Sequence, residues 1–149
     1  MTRILMVCLG NICRSPLAHG ILASKLSSKD YFVDSAGTAS YHIGKKPDIR
    51  SIKVAKQNGI NISSQRARSF EVNDFDNFDL IFAMDESNYR DIINLARNSN
   101  DTMKVKLLLQ ANDSLTNKNV PDPYYGDQSD FEYVFNLLDE TCDLLIRQI

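Results

Sequence analysis

The feature that most constrains this chain is the passage from a short apolar run, Arg3 to Val7, straight into Cys8-Leu9-Gly10-Asn11-Ile12-Cys13-Arg14-Ser15-Pro16. A nearly continuous apolar run of that length is the pattern of a strand buried on both faces. Ser15-Pro16 is a helix-start signal, with Ser15 expected as N-cap and Pro16 as first helical residue, where the missing N–H costs nothing. Strand, tight loop and helix N-terminus in succession belong to a parallel sheet, and a loop so placed can wrap an anion.

The remainder repeats the alternation. The first helix is expected to run to about Leu26, with Leu17, Ile21 and Leu22 facing inward. Tyr31 to Ala36, closed by Gly37, reads as a second strand, and a helix from about Asp48 to Asn58, with Ile49, Ile52 and Ala55 at helical spacing, stops at Gly59. Asn61 to Asn77 shows no period and is expected as a polar connection with a short helical turn. Asp79 to Met84 is a third strand, followed by a helix from the Asp85 cap to about Arg97; Val105 to Leu109 is a fourth strand. Gln110 to Gln128 is long for a connection, which favours a functional segment. The last helix carries Phe131, Val134, Phe135, Leu138, Cys142, Leu145 and Ile149 as one apolar stripe.

These elements predict an α/β fold: four parallel strands with helices on both faces, a flavodoxin- or Rossmann-like three-layer sandwich with strand order 2-1-3-4. In such sheets ligands bind beyond the carboxyl ends of the strands. The Cys8 to Arg14 loop and the segment Val120-Pro121-Asp122-Pro123-Tyr124-Tyr125-Gly126 leave strands one and four on that same rim.

With 149 residues, one domain over 1–149 is expected. A net charge of −2 gives no global footprint for nucleic acid or an anionic membrane, so any positive site must be local. The run before Cys8 is too short for a signal-peptide core, no stretch approaches a membrane span, and three cysteines cannot all pair within the chain. A cytoplasmic location is the resulting expectation. His19 and His42 lack ligand spacing, so no metal is expected. Lys45-Lys46 reads as a solvated turn able to attract acidic phosphopeptides.

The loop's chemistry follows from its residue types. A thiol attacks only as the thiolate, and three features here favour ionisation of Cys8: the Arg14 guanidinium, the helix N-terminus and converging backbone N–H groups. A helix terminus alone contributes at most about 2 kcal/mol, so the other two must assist. The same groups suit a phosphate dianion, with Arg14 offering a planar fork and Gly10 allowing close backbone approach. Asn11 tolerates a left-handed conformation, and Ser15 can donate its hydroxyl to the thiolate. Asp122, between two prolines that stiffen the segment and remove backbone donors, is the candidate general acid. Tyr41, Tyr124 and Tyr125 can line a slot for a flat aromatic leaving group.

Four stretches, Cys8 to Pro16, Asp34-Ser35-Ala36-Gly37, Ala83 to Asn88 and Asp122 to Gly126, closely resemble the low-molecular-weight protein tyrosine phosphatases over essentially the whole chain. The resemblance implies Cys8 as nucleophile, Arg14 as phosphate clamp, Asp122 as proton donor, and Leu9, Gly10, Asn11, Ile12, Cys13 and Ser15 as the phosphate-binding loop. It also implies a Ser35 bond to Asn11, a reversible Cys8–Cys13 disulfide under oxidation, and no metal or other cofactor. The implied partners are phosphotyrosine proteins or peptides and small aryl phosphates, with neither nucleic acid nor membrane, the protein being a monomer or weak dimer. Tyr41 stands where some relatives carry tryptophan, and Gln65 where some carry a histidine that braces the loop.

Other activities are open on the same scaffold. Thiol-linked arsenate reductases resemble the loop but need further cysteines after the third strand, and Ser87 to Asn100 contains none. Protein arginine phosphatases carry threonine where this chain has Ile12, whose apolar side chain favours an aryl leaving group. A non-catalytic phosphate-binding module would require Asp122 to lie away from the loop.

Overall fold

The computed structural model describes residues 1–149. Its centre is strand β1 (Thr2–Cys8), whose residues Ile4 to Val7 are fully buried. Parallel neighbours β2 (Tyr31–Gly37) and β3 (Leu80–Ala83) flank it, and β4 (Val105–Leu107) pairs with β3. The order is β2-β1-β3-β4, as expected.

Alternation along β1 divides the core into two faces. Ile4, Met6 and Cys8 join one apolar cluster with Leu17, Ile21 and Leu22 of α1 (Arg14–Lys25) and the stripe Phe131, Val134, Phe135, Leu138, Cys142 and Leu145 of α6 (Gln128–Leu145). Leu5 and Val7 point the other way, to Phe75 of α3 (Asp74–Asn77) and Ile92 of α4 (Glu86–Ile93). Both faces are covered, which is why β1 reads as unbroken apolar sequence. No helix is long and apolar enough to cross a membrane.

Several boundaries differ from the sequence reading for identifiable reasons. α1 begins at Arg14, with Cys13 in the cap position making no side-chain cap bond, because the Ser15 hydroxyl is directed to Cys8 instead. β4 ends at Leu107, whose N–H donates to Gln110 Oε1; a 3₁₀ turn over Leu108–Ala111 then lets consecutive Leu108 and Leu109 both enter the α1/α6 core. The helix expected to reach Arg97 stops at Ile93, and a new short helix, α5 (Ser99–Met103), starts from the Asn98 cap. There buried Asp101 captures the Arg97 N–H and guanidinium. Ile49 opens α2 (Ile49–Gln57) fully outside the core, 80% exposed, while Ser51, Val54 and Ala55 face in. Ile149 lies beyond the end of α6 and outside its buried stripe.

Candidate active site

The loop after β1 is shaped by what its carbonyl oxygens do. Cys8 O accepts from Thr38 N (2.9 Å), Leu9 O from Ala39 N (2.9 Å), Ile12 O from Asp48 N (2.8 Å) and Cys13 O from Ser51 Oγ (3.3 Å). In a planar trans peptide the following N–H points opposite to the carbonyl. The N–H groups of Leu9, Gly10, Cys13 and Arg14 are therefore turned away from the surrounding elements and into the loop's concavity, and none donates within the chain. Asn11 N–H is directed at Cys8 Sγ (3.3 Å). The first N–H groups of α1 join them, since a helix start has no intrahelical acceptors to offer. The result is an oxyanion-sized nest with Cys8 Sγ at its floor.

Asn11 holds this curvature as the only non-glycine residue at positive φ (56°). All of its side-chain hydrogen-bonding groups are engaged: Nδ2 donates to Ser15 Oγ (2.8 Å) and Ser35 Oγ (2.9 Å), and Oδ1 accepts from Arg68 N (3.0 Å). The left-handed conformation costs about 1 kcal/mol, which three hydrogen bonds of about 1 kcal/mol each offset. Ser15 Oγ accepts from Asn11 and lies 3.0 Å from Cys8 Sγ and 3.5 Å from the Ala36 carbonyl, so its hydroxyl proton can serve the sulfur as the nearer acceptor. Gly37 is required behind the loop: a Cβ there would stand 2.7 Å from Leu9 O. A Cβ on Gly10 would meet the His42 ring at 3.0 Å.

Arg14 is 3% exposed and anchored through Nη1 to Asp85 Oδ2 (2.7 Å) and the Val120 carbonyl (3.0 Å). Burial opposes its charge, but Cys8, Asp85 and Asp122 hold its pKa above the usual arginine value. Asp85 divides its oxygens, with Oδ1 capping α4 at Asn88 N (2.8 Å) while Oδ2 fixes the arginine. Arg14 Nη2 lies 3.9 Å from Asp122 Oδ2, so the residue expected from the distant segment does reach the loop. One detail departs from the sequence reading. Pro121 and Pro123 remove two donors, yet Tyr124 N–H still donates to Asp122 Oδ1 (3.1 Å).

A cleft of about 140 Å³ joins these groups, lined by Cys8, Leu9, Gly10, Ile12, Cys13, Arg14, Tyr41, Asp122, Tyr124 and Tyr125. Asn11, Ser15 and Ser35 stand behind it as its frame. The expected tyrosine wall is present, with one member the sequence reading missed: His42 sits between Tyr41 (ring centroids 6.3 Å) and Tyr124 (6.4 Å). Tyr125, 96% exposed, stacks edgewise on Tyr124 (5.0 Å) at the outer rim. Burial, reinforced by Asp48, Cys8 and Asp122, pushes the Cys13 thiol far above the usual cysteine range and keeps it protonated. No three His, Cys, Asp or Glu side chains gather in a metal-binding arrangement.

A second missed residue is His19 on α1, whose Nδ1 lies 3.4 Å from Ser35 Oγ. Ser35 Oγ accepts from Asn11, and it pairs with His19 Nδ1, either atom serving as donor according to the imidazole tautomer. Burial lowers the His19 pKa below its ordinary value of 6.5, partly offset by Asp34 and Gln65. Gln65 itself donates to the Pro16 carbonyl (3.2 Å), bracing α1 rather than the loop directly.

Comparison with known proteins gives a consistent picture. The family model described as "Low molecular weight phosphotyrosine protein phosphatase" matches residues 3–149. A human protein of that same name is 42% identical over 150 residues, covering 97% of this chain and 94% of its own. A Dictyostelium discoideum protein of that name is 40% identical over 169 residues, covering 99% and 93% respectively. The crystal structure of a protein tyrosine phosphatase from Entamoeba histolytica superposes with a TM-score of 0.92 at 36% identity, covering 99% of this chain and 96% of that one.

Two outcomes follow from the frame behind the cleft. Asn11→Ala leaves the left-handed strain and strands three partners; urea denaturation should show a loss of about 2 kcal/mol, and calorimetry at least about 10-fold weaker binding of inorganic phosphate. His19, with its folded pKa below 6.5, binds fewer protons in the folded than in the unfolded state, so stability should fall as pH drops below about 6.5. The Asp48 carboxyl is desolvated, but its bonds to Arg50 hold it below 3.8, so its loss belongs to more acid solution. Thermal melts between pH 7 and 5 should show a decline that His19→Gln flattens.

Proposed function

Because the chain belongs to the low molecular weight phosphotyrosine protein phosphatase family, we propose that residues 1–149 act as one catalytic unit that hydrolyses phosphotyrosine in proteins or peptides, and aryl phosphates generally, through a phosphocysteine intermediate. The observation that carries this reading is the convergence of the Cys8 thiol, inward-facing loop amides, the Arg14 guanidinium and the Asp122 carboxyl on one cleft.

In the first step the phosphoryl dianion enters the loop. The amides and Arg14 bind its non-bridging oxygens, and the Cys8 thiolate attacks phosphorus in line with the ester oxygen. The S–P bond forms as the P–O bond breaks, and Asp122, entering protonated, gives its proton to the departing phenolate oxygen. Charge on the equatorial oxygens is met by donors already in place, so little reorganisation is required. In the second step the Asp122 carboxylate takes a proton from water as that water attacks phosphorus. The S–P bond breaks, phosphate leaves and the thiolate returns.

The apolar side of the cleft, with Ile12, Tyr41 and Tyr124, favours an aryl leaving group. Against a thiol-linked reductase, the remaining cysteine, Cys142, is in the α6 core, and burial pushes its thiol up to about 12. The 3.9 Å approach of Asp122 to Arg14 weighs against a non-catalytic phosphate-binding module.

Steady-state hydrolysis in the presence of EDTA tests the reading. Cys8→Ser should abolish turnover. Asp122→Ala should lower kcat/KM for phosphotyrosine by about 10² to 10⁴, and much less for an ester whose leaving group is strongly acidic. Equal slowing of both esters removes Asp122 from the acid role.

A further inference from the structure

We infer that Arg50, at the start of α2, is a positioning residue that sets the place of the Asp122 segment relative to the Cys8 loop. The inference rests on the function proposed above. From Pro121 to Asp127 the backbone is held to itself by Tyr124 N–H on Asp122 Oδ1 and Gly126 N–H on Pro123 O, and to the adjoining helix by Asp127 N–H on Asp130 Oδ2. The two prolines contribute no N–H. The hydrogen bonds tying these seven backbone units to the body of the protein both come from Arg50: Nη2 to Tyr124 O (2.9 Å) and Nη1 to Gly126 O (2.9 Å).

The arm that makes these bonds is itself fixed. Asp48 accepts from Arg50 Nε (3.0 Å), Nη2 (2.9 Å) and backbone N (2.9 Å), and the guanidinium carbon lies 4.3 Å from the centre of the Phe131 ring. Its base is bolted to the phosphate-binding loop. Asp48 N–H donates to Ile12 O and Ser51 Oγ to Cys13 O, the bonds that turn the Cys13 and Arg14 amides inward. One guanidinium therefore spans the two halves of the site. Tyr124 is gripped on both sides of its backbone, by Asp122 at N–H and by Arg50 at C=O, so holding Tyr124 aims the carboxyl. Arg50 touches no reacting atom; it acts through Asp122.

A leaving-group series of aryl phosphates, from phosphotyrosine to esters of strongly acidic phenols, tests this in wild type, Asp122→Ala, Arg50→Ala and the double variant, with kcat/KM as readout because it reports formation of the phosphocysteine. Arg50→Ala should lower kcat/KM for phosphotyrosine by about 10- to 100-fold, as expected for a displaced catalytic group, and that for the most acidic phenol by less than about 3-fold. The double variant should be no slower on phosphotyrosine than Asp122→Ala alone. Arg50→Lys keeps the charge beside Asp48 but not the planar fork, so it should show the same steepened leaving-group dependence even where Arg50→Ala folds poorly. Uniform slowing across the series, or additive losses in the double variant, overturns the positioning role. If Asp122→Ala itself shows no leaving-group dependence, the acid assignment fails and this role with it; dependence in Asp122→Ala but in neither Arg50 variant overturns Arg50 alone.

Discussion

Everything at this site depends on which way a few peptide groups face. Thr38, Ala39, Asp48 and Ser51 each pull a carbonyl of the Cys8 to Arg14 loop outward, and peptide planarity then turns the following amides inward. Those donors come from two separate places, the chain just after β2 and the start of α2. The nest is thus a property of the tertiary fold as much as of the loop's own residues. Gly37 belongs to the same constraint, because a Cβ there would push into the Leu9 carbonyl that Ala39 must reach.

The buried positive charge of Arg14 imposes the next requirement. A guanidinium taken out of water needs paired acceptors, and Asp85 and the Val120 carbonyl supply them from the ends of β3 and of the connection after β4. Val120 N–H in turn donates to Met84 O. The bond that settles the arginine therefore also draws in the start of the segment carrying Asp122. Satisfying one buried charge brings the proposed clamp and the proposed acid to the same rim.

The sequence was most informative where a residue's role depends on neighbours in the chain. The buried β1 strand, the loop, positive φ at Asn11 and the α6 stripe all follow from local pattern, and so does the rim shared by Cys8 and Asp122. It was least informative where one side chain had two competing partners. Ser15 reads both as an N-cap and as a donor to Cys8; the sulfur contact is present, but Asn11 claims the oxygen as well and no cap bond forms. Asp85 reads as a helix cap and is one, yet its second oxygen holds Arg14, a contact 71 residues away in sequence that no periodicity encodes. His19 and His42 show only an absence of metal-ligand spacing in the sequence; in the fold one pairs with Ser35 and the other fills the gap between two tyrosines. The helix after β3 reads longer in sequence than it is in the fold because Asn98 and Asp101 restart the chain through polar bonds that leave the apolar pattern intact.

The two halves of the site differ in how firmly they are held, and the proposed chemistry makes use of the difference. The loop is buried and cross-linked by Asn11, Ser15 and Ser35, as suits donors that must meet developing charge without moving. The segment from Pro121 to Asp127 carries an Asp122 side chain that is 44% exposed and a Tyr125 almost wholly in solvent. An acid that must release a proton to a bulky aryl group and later accept one from water benefits from such access, but only if its distance from phosphorus is kept. Two arginines act at that boundary: Arg14 from inside the nest and Arg50 from α2. In the proposed reaction Arg14 is drawn to the reacting charge itself, whereas Arg50 binds backbone carbonyls, which carry no charge that changes with the protonation of Asp122. A tether to neutral carbonyls can hold the acid equally well in both steps, when Asp122 is protonated and when it is ionised, which an ion pair to its carboxylate could not do.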